Sequence, residues 1–170
     1  MRRFLSLLFA AALMLPHAAR QELPGTVTRG GFVISLWESA GAVPFDAVTP
    51  FSDLSPDDDC ATAVGWASSQ GLVLGTGGGF FSPHRAITRE EAAVLLRRWA
   101  DLLGRDTFLP DGVAECNDYA DISPWSDDSL YWACEIGLIS WSPDGRLDPL
   151  GSVSPEELSA LMARFEFIWA

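Results

Sequence analysis

Apolar residues recur at helical spacing in three segments of the chain, and each segment begins at a threonine or a serine. Residues three and four positions apart lie on one face of an α-helix, so each segment predicts an amphipathic helix that buries that face. The apolar stripes are Phe32, Leu36 and Trp37 after Thr28; Ala92, Leu95, Leu96, Trp99 and Leu103 after Thr88; and Leu158, Leu161, Met162 and Phe165 after Ser154. We expect these three helices to pack on one another as a central bundle.

Two further helices are predicted ahead of the second and third segments. One should run from about Pro56 to Gln70, because a serine cap, a proline at the first position and acids in the first turn are start signals. Gly71 should end it. The corresponding helix follows Ser123-Pro124 and runs through Trp132 to Gly137. Glycine- and proline-rich stretches separate these segments. No segment alternates apolar and polar residues as a strand does, so the predicted fold class is all-α.

A long stretch in the middle of the chain is nearly repeated toward its end. The constant offset of 66 residues across helices and turns indicates a duplicated structural unit. Trp66-Ala67, Gly71-Leu72-Val73 and Ile87-Thr88-Arg89-Glu90-Glu91 reappear as Trp132-Ala133, Gly137-Leu138-Ile139 and Val153-Ser154-Pro155-Glu156-Glu157. Val27-Thr28-Arg29 marks an incomplete first copy without the preceding helix. We divide the chain into a truncated copy 1 (20–45), copy 2 (46–107) and copy 3 (108–170).

Composition and charge narrow the class of protein. The chain has 170 residues, 48% of them hydrophobic, which is enough for one globular domain. Its net charge is −12, from 23 acidic residues against 11 basic ones, all arginine. Nonspecific nucleic-acid binding depends on a basic surface, so this composition argues against a nucleic-acid partner.

Residues 1–19 have the order of a secretory signal peptide. Arg2-Arg3 precedes an apolar run over 4–15, and Ala18-Ala19 supplies the small residues near a cleavage site. The run is shorter than the roughly 20 apolar residues of a membrane span. We expect a secreted mature chain that begins near Arg20 and has no membrane span, although the sequence does not fix the cleavage site. A retained N-terminal anchor and a core helix are the alternatives.

The three cysteines predict no metal site. Cys60, Cys116 and Cys134 include no Cys-x-x-Cys pair, so the zinc-ligand spacing is missing. In an oxidising compartment one disulfide with one spare thiol is an option, and Cys116 with Cys134 is the pairing that we favour. Three isolated or buried thiols are the alternative.

The combined motifs of copy 2 resemble the S-layer homology domain. The motifs are Phe51-Ser52-Asp53 before a helix with Trp66-Ala67, then Gly71-Leu72-Val73, Phe81-Ser82-Pro83 and Ile87-Thr88-Arg89-Glu90-Glu91. The resemblance covers nearly everything after the signal segment. It implies a pseudo-threefold module with a central three-helix bundle, outer helices, glycine-rich loops and grooves between the repeats. It also implies noncovalent anchoring to secondary cell-wall polysaccharide, often pyruvate-modified, whose acidic group contacts the arginine of the Thr-Arg motif.

The Thr-Arg motif has a physical rationale of its own in copy 2. Thr88 and Glu91 stand three apart and predict a capping box, which occupies both side chains. Arg89, at the first helical position, should stay free beside the N–H groups and the positive end of the dipole, an arrangement suited to a carboxylate or phosphate. A surface arginine paired with a nearby aspartate is the alternative. We therefore expect Arg89 to belong to the main binding site.

The other two copies depart from this motif. Copy 1 keeps Arg29 but has Gly31 where the box needs its acid, so Arg29 belongs to a weaker candidate site. In copy 3, Ser154 and Glu157 can still cap the helix, but Pro155 replaces the arginine. Two further residues complete the candidate ligand-binding set, namely Asp53 of the Phe-Ser-Asp motif and Trp125 in a predicted loop. In copy 3, Tyr119-Ala120-Asp121-Ile122 is expected to take the place of the Phe-Ser-Asp motif.

We expect a noncatalytic module that anchors a secreted protein to the cell envelope through an acidic or pyruvylated wall polysaccharide. His84 is the only histidine beyond the signal segment, and its single turn with Ser82 does not support a hydrolase. No cofactor is expected. The alternative is a degenerate repeat domain that serves as a structural or protein-interaction module and has lost glycan binding.

Overall fold

The computed structural model describes residues 25–46 and 49–170, so the predicted signal peptide over 1–19 lies outside the described residues. The described part contains five α-helices and one short 3-10 helix, Tyr119–Asp121. The α-helices are α1 (Arg29–Ser39), α2 (Ala61–Ser69), α3 (Arg89–Leu102), α4 (Asp127–Glu135) and α5 (Pro155–Ile168). Within this part the β-type pairing is confined to isolated bridges. The all-α prediction is confirmed, and the copy boundaries stay predictions.

The inner helices α1, α3 and α5 begin where the sequence predicts. Thr28, Thr88 and Ser154 are their N-caps, and each side chain accepts a hydrogen bond from the backbone N–H three residues later. A full capping box is present at Thr88, because the carboxylate of Glu91 accepts the Thr88 N–H at 3.1 Å. The capping box predicted for copy 2 is present, whereas in copy 3 only the Ser154 side chain caps the helix, because the Glu157 carboxylate pairs with Arg89.

The outer helices α2 and α4 begin later than predicted. Helix α2 starts at Ala61 instead of Pro56, because the Asp58 carboxylate accepts the Ser55 N–H at 2.7 Å and closes a local turn. Helix α4 starts at Asp127, because Ser123 is engaged by a side chain of α3. In both cases other hydrogen bonds hold the serine of the Ser-Pro signal outside the helix.

A closed ring of backbone hydrogen bonds joins the starts of the inner helices. The Val27 N–H donates to the Val153 carbonyl at 2.8 Å, the Val153 N–H to Ile87 at 3.1 Å, and the Ile87 N–H to Val27 at 2.9 Å. All three residues are buried. The ring gives the three helix starts equivalent surroundings. The complete pseudo-threefold module stays a prediction, because the described part of copy 1 lacks an outer helix.

All five helices contribute to one hydrophobic core. Phe32, Val64, Leu96, Trp132 and Leu161 represent the five helices in it. The closest helix pairs are α1 with α2 and α3 with α4, so the inner helix of one copy is covered by the outer helix of the next. The three inner helices share the core as expected, although their nearest neighbours are the outer helices. No helix of the described residues covers α5 in this way.

Candidate functional site

The copies meet at two seams where the start of an inner helix contacts a loop of the following copy. In the first seam, the Arg29 N–H donates to the Arg85 carbonyl at 2.9 Å and the Gly30 N–H to the Pro83 carbonyl at 3.0 Å. The second seam repeats these bonds from Arg89 and Glu90 to Gly151 and Pro149. The loops thus satisfy N–H groups that a helix start leaves open. The expectation that these groups face an anionic ligand is wrong for these positions.

The side chain of Arg29 is held inside the first seam. Its Nε donates to the Phe81 carbonyl at 3.0 Å and its Nη1 to Oε1 of Glu91 at 3.0 Å. Its guanidinium carbon lies 4.9 Å from the centroid of the Phe81 ring, within the range of a cation–π contact. Burial lowers the pKa of Arg29 and the neighbouring Arg85 lowers it further, while Glu91 opposes both effects. Arg29 is thus a buried cation rather than a weak surface site.

Arg89 occupies the corresponding position in the second seam. Its Nε donates to the Leu147 carbonyl at 2.8 Å, and its Nη1 forms an ion pair with Glu157. Its Nη2 makes a longer contact of 3.4 Å with the Ser140 carbonyl. The prediction of a free Arg89 is therefore wrong, because the second seam already provides a carboxylate from the next copy.

Asp53 stabilises the loop of the first seam through two backbone hydrogen bonds. Its carboxylate accepts the N–H groups of Phe81 at 2.8 Å and Ser82 at 2.7 Å, and Ser82 has a φ of 62°. Burial alone would raise the pKa of Asp53, but these hydrogen bonds hold it below its ordinary value. Because the same peptide segment offers its carbonyl to Arg29, Asp53 orients the arginine's acceptor. Asp53 remains a candidate ligand contact only as a proposal.

In the second seam, Asp118 holds the loop in the way that Asp53 holds the loop of the first seam. The sequence did not lead us to predict this role for Asp118. Its buried carboxylate accepts the N–H groups of Leu147 at 2.9 Å and Asp148 at 2.7 Å, and Asp148 has a φ of 50°. These hydrogen bonds hold the pKa of Asp118 low against the opposing effect of burial. Asp121 was the expected equivalent. The 66-residue repeat aligns Asp53 with Asp118 only when copy 3 has one inserted residue before α4.

The two seams differ in charge. Arg85, whose side chain is 44% exposed, donates from Nη2 to Oε1 of Glu91 at 2.5 Å. Arg29 and Arg85 therefore share one carboxylate oxygen. Burial acts to raise the pKa of Glu91, but the bonds from Arg85 and the Thr88 N–H and the charge of Arg29 hold it low. In the first seam two arginines, Arg29 and Arg85, pair with one glutamate, Glu91. In the second seam one arginine, Arg89, pairs with one glutamate, Glu157.

The seams also differ just inside the helix start. In the second seam Glu90 is 3% exposed and accepts the Ser123 N–H at 3.0 Å, the Ser123 hydroxyl at 2.9 Å and the Ser126 hydroxyl at 2.8 Å. Gly30 replaces this glutamate in the first seam, where an added Cβ would lie 2.9 Å from Sγ of Cys60. A thiol thus fills the space that a carboxylate and two serines occupy in the second seam.

The remaining predicted site residues lie outside the helices. Trp125 is 59% exposed in the loop before α4, next to the hydrogen-bonded Ser126, and its ring is accessible from solvent. Tyr119 is a second exposed aromatic residue of copy 3. Burial raises the pKa of Asp127 at the start of α4, and the Tyr119 hydroxyl opposes this effect. These contacts leave Trp125 as the candidate stacking residue beside the second seam.

The cysteines are free thiols in the structure, so the favoured disulfide between Cys116 and Cys134 is not formed. Burial raises the pKa of Cys60 to about 11 and that of Cys134 to about 12. Burial also raises the pKa of Cys116, while the Tyr131 hydroxyl opposes this effect. Thiols with such values contain little thiolate and react slowly. Among the described residues, no group of potential ligands is arranged to hold a metal ion.

Comparison with known proteins identifies the family. The sequence profile of the S-layer homology domain matches residues 50–93, which include Asp53, Arg85 and Arg89. The chain carries an S-layer homology domain. Domains of this family are noncatalytic and anchor surface proteins to the cell wall, which gives this chain a location at the cell surface or in the wall. Within the described residues, no helix has the length and apolarity needed to cross a membrane.

Relatives with this similarity are much longer than the chain. An endoglucanase of Bacillus sp. (strain KSM-635) is 27% identical over 81% of the chain and 14% of its own length. Cell surface glycoprotein 1 of Acetivibrio thermocellus is 30% identical over 75% of the chain and 6% of its own length. A cellulosome-anchoring protein of the same organism is 30% identical over 65% of the chain and 24% of its own length. The chain thus corresponds to less than a quarter of each.

Proposed function

We propose that this S-layer homology domain binds an acidic secondary cell-wall polysaccharide and thereby anchors a secreted protein to the cell envelope. The carrying observation is the first seam, where Arg29 and Arg85 share a single carboxylate oxygen of Glu91. Glu91 and Asp53, whose carboxylate is held by backbone N–H groups, balance the two guanidinium charges, so a ligand anion would bind through the hydrogen-bond donors of the partly exposed Arg85. Carboxylate and phosphate groups suit guanidinium donors because they accept paired hydrogen bonds.

Arg85 is the proposed direct contact and Arg29 the buried support. Arg85 is partly exposed, whereas Arg29 is 6% exposed and fixed by Phe81 and Glu91. A ligand carboxylate at Arg85 would also interact with the charge of Arg29, because the two arginines are close enough for the charge of Arg85 to lower the pKa of Arg29. This pair of arginines is a local feature, since the whole chain carries a net charge of −12. Binding to an acidic polymer must therefore depend on short-range contacts, and moderate salt should change the affinity little.

The names of the relatives support an anchoring role. One relative is called a cellulosome-anchoring protein and another a cell surface glycoprotein. The endoglucanase is an enzyme over a length that this chain covers only to 14%. We therefore propose anchoring, and no catalytic activity, for the part of the protein that this sequence represents.

A second candidate is a structural or protein-interaction module that has lost glycan binding. The observation that favours it is the second seam, where Glu157 already neutralises Arg89, the arginine of the best-preserved motif. In copy 3, Pro155 replaces this arginine altogether. On this alternative, the domain keeps the fold of its family while its arginines serve only the contacts between copies.

Sedimentation with purified cell-wall sacculi separates the two candidates. The parent chain should bind intact sacculi and lose binding after chemical removal of the secondary polymer. Arg85→Ala should weaken binding about 10- to 150-fold, since a lost charge-assisted hydrogen bond is worth roughly 1.5 to 3 kcal/mol. Arg97→Ala is the control, because Arg97 donates to the Thr107 carbonyl and lies outside both seams.

Each other outcome has a definite reading. Equal binding by the parent and Arg85→Ala, with a loss in Arg89→Ala, would transfer the site to the second seam. Equal binding to intact and stripped sacculi, or no binding at all, would reject the polysaccharide anchor. The protein-interaction module would then take its place.

A further inference from the structure

The C-terminal ends of the three inner helices enclose a cavity that the proposed anchor site does not use. Its volume is about 370 Å³. Helix α1 contributes Ser39, α3 contributes Trp99, and α5 contributes Met162, Phe165 and Trp169. The ring of hydrogen bonds holds these helices together at their other ends. Since α3 has 14 residues, the cavity lies about 20 Å along the helix from the seams.

Three aromatic side chains, Trp99, Phe165 and Trp169, contribute to the walls of the cavity. Trp169 meets Phe165 edge to face, with centroids 4.7 Å apart, and lies nearly parallel to Trp132 at 6.3 Å. Trp99 is held by an edge-to-face contact with Trp66 at 5.7 Å. These contacts fix the rings that face the cavity. A preformed aromatic cavity of this size is typical of small-molecule sites.

The formal charges of Arg105 and Glu166, which both line the cavity, cancel and leave no net charge to attract an ionic ligand. Three helix C-termini converge there, none with a basic residue in its last turn, so their negative dipole ends repel anions. Arg105 also lines the cavity and donates to the Trp169 carbonyl at 3.4 Å. Glu166 on the same lining offsets Arg105. The chemistry therefore fits an uncharged ligand that has apolar faces and polar edges.

We propose that this cavity binds one uncharged sugar residue, as a second carbohydrate site distinct from the anion site of the first seam. A sugar ring presents C–H groups on its faces, which suit the negative faces of Trp99 and Trp169. Its hydroxyl edge can accept from Arg105 and donate to Glu166, both at the polar side of the cavity. The site does not depend on the anion at Arg85.

The test follows the indole N–H signals of Trp99 and Trp169 by NMR in the full chain. The probes are methyl β-glucoside and methyl N-acetyl-β-glucosaminide, with tetramethylammonium chloride and sodium acetate as charged counterparts. We expect a saturable shift with at least one glycoside, with a Kd on the order of millimolar. Arg85→Ala should leave this Kd unchanged, which separates this site from the anchor.

Two variants test the assignment. Trp169→Ala should weaken glycoside binding at least about tenfold, because it removes one aromatic wall. Phe167→Ala is its control, since Phe167 is 84% exposed on the same helix and lies outside the cavity. Arg105→Ala, which leaves the core intact, should weaken binding about 2- to 10-fold by removing a hydrogen-bond donor.

Three results would overturn the proposal. The first is the lack of a saturable shift with either glycoside below about 100 mM, far above an ordinary millimolar Kd. The second is binding that persists unchanged in both Trp169→Ala and Arg105→Ala. The third is saturable binding of tetramethylammonium or acetate with no binding of the glycosides, which would assign the cavity to an ion.

Discussion

The two seams of this domain share a backbone and differ in their side chains. In both, loop carbonyls satisfy the helix start, an aspartate holds the loop, and an arginine Nε donates to a loop carbonyl. The first seam adds Arg85 to the pair of Arg29 and Glu91, whereas the second has the single pair of Arg89 and Glu157. The comparison shows that the backbone bonds preserve the repeat while the charges diverge.

The copies also differ at the next residue of each inner helix. Glu90 in the second seam accepts three hydrogen bonds, and its counterparts are Gly30 in the first copy and the exposed Glu156 in the third. Glu156 belongs to α5, which no outer helix covers among the described residues. One repeat position therefore has three environments, and the amino acid at each position matches its neighbours. The expected effects of mutation must differ accordingly.

Glu90→Leu should have the largest effect on stability. It leaves the Ser123 N–H and the Ser123 hydroxyl without their acceptor inside the second seam, which should cost about 2 to 5 kcal/mol. Glu156→Leu is the matched variant at the exposed equivalent position and should change stability by less than about 0.5 kcal/mol. Urea unfolding followed by circular dichroism measures both. Similar losses in the two variants would contradict the difference between the seams.

Gly30→Ala should destabilise the first seam by about 1 to 3 kcal/mol, through overpacking against Cys60. The new Cβ would lie 2.9 Å from the Cys60 sulfur and 3.1 Å from the Pro83 carbonyl oxygen. The neighbouring Gly31→Ala is the control, because its Cβ meets only the Thr28 hydroxyl at 3.2 Å and the Val27 side chain at 3.8 Å. It should be neutral or stabilise the helix by up to about 1 kcal/mol. A stabilised Gly30→Ala would show that the seam relaxes.

Arg89→Ala should destabilise the fold by about 1 to 2 kcal/mol, because it removes a bond to the Leu147 carbonyl and leaves Glu157 without its partner. Arg85→Ala should cost less than about 0.5 kcal/mol, since Glu91 keeps Arg29 and the Thr88 N–H. Thermal melts of the two variants check the ranking. A larger loss of stability for Arg85→Ala would mean that Arg85, and not Arg89, is the arginine that stabilises the fold.

Acid should weaken both seams through their aspartates. The pKa values of Asp53 and Asp118 lie below the ordinary value, so each carboxylate stabilises the folded state above the unfolded pKa. This stability is lost as the pH falls below about 4 toward the folded pKa values. The free energy of unfolding, measured between pH 6 and pH 3, should fall less steeply in Asp53→Asn than in the parent. An unchanged slope would mean that Asp53 titrates alike in both states.

Local signals in the sequence are enough to predict the helix class, the repeat and the starts of the inner helices. Thr28, Thr88 and Ser154 were readable because each cap joins groups three residues apart. The apolar stripes identified the buried faces for the same reason, since helical spacing is a local property. The family resemblance rested on these same motifs, and the match over 50–93 agrees with it.

The pairing of charges depends on contacts between segments that are far apart in the chain. Arg89 meets Glu157 across 68 residues of chain, and Asp118 meets Leu147 across 29, so neither contact has a local signature. The late start of α4 has the same cause, because Ser123 bonds to Glu90 rather than to its own helix. The cavity at the C-terminal ends of α1, α3 and α5 also depends on how three distant segments meet. Local hydrogen bonds and periodicity are encoded within a few residues, whereas the charge balance of a seam depends on contacts between whole copies.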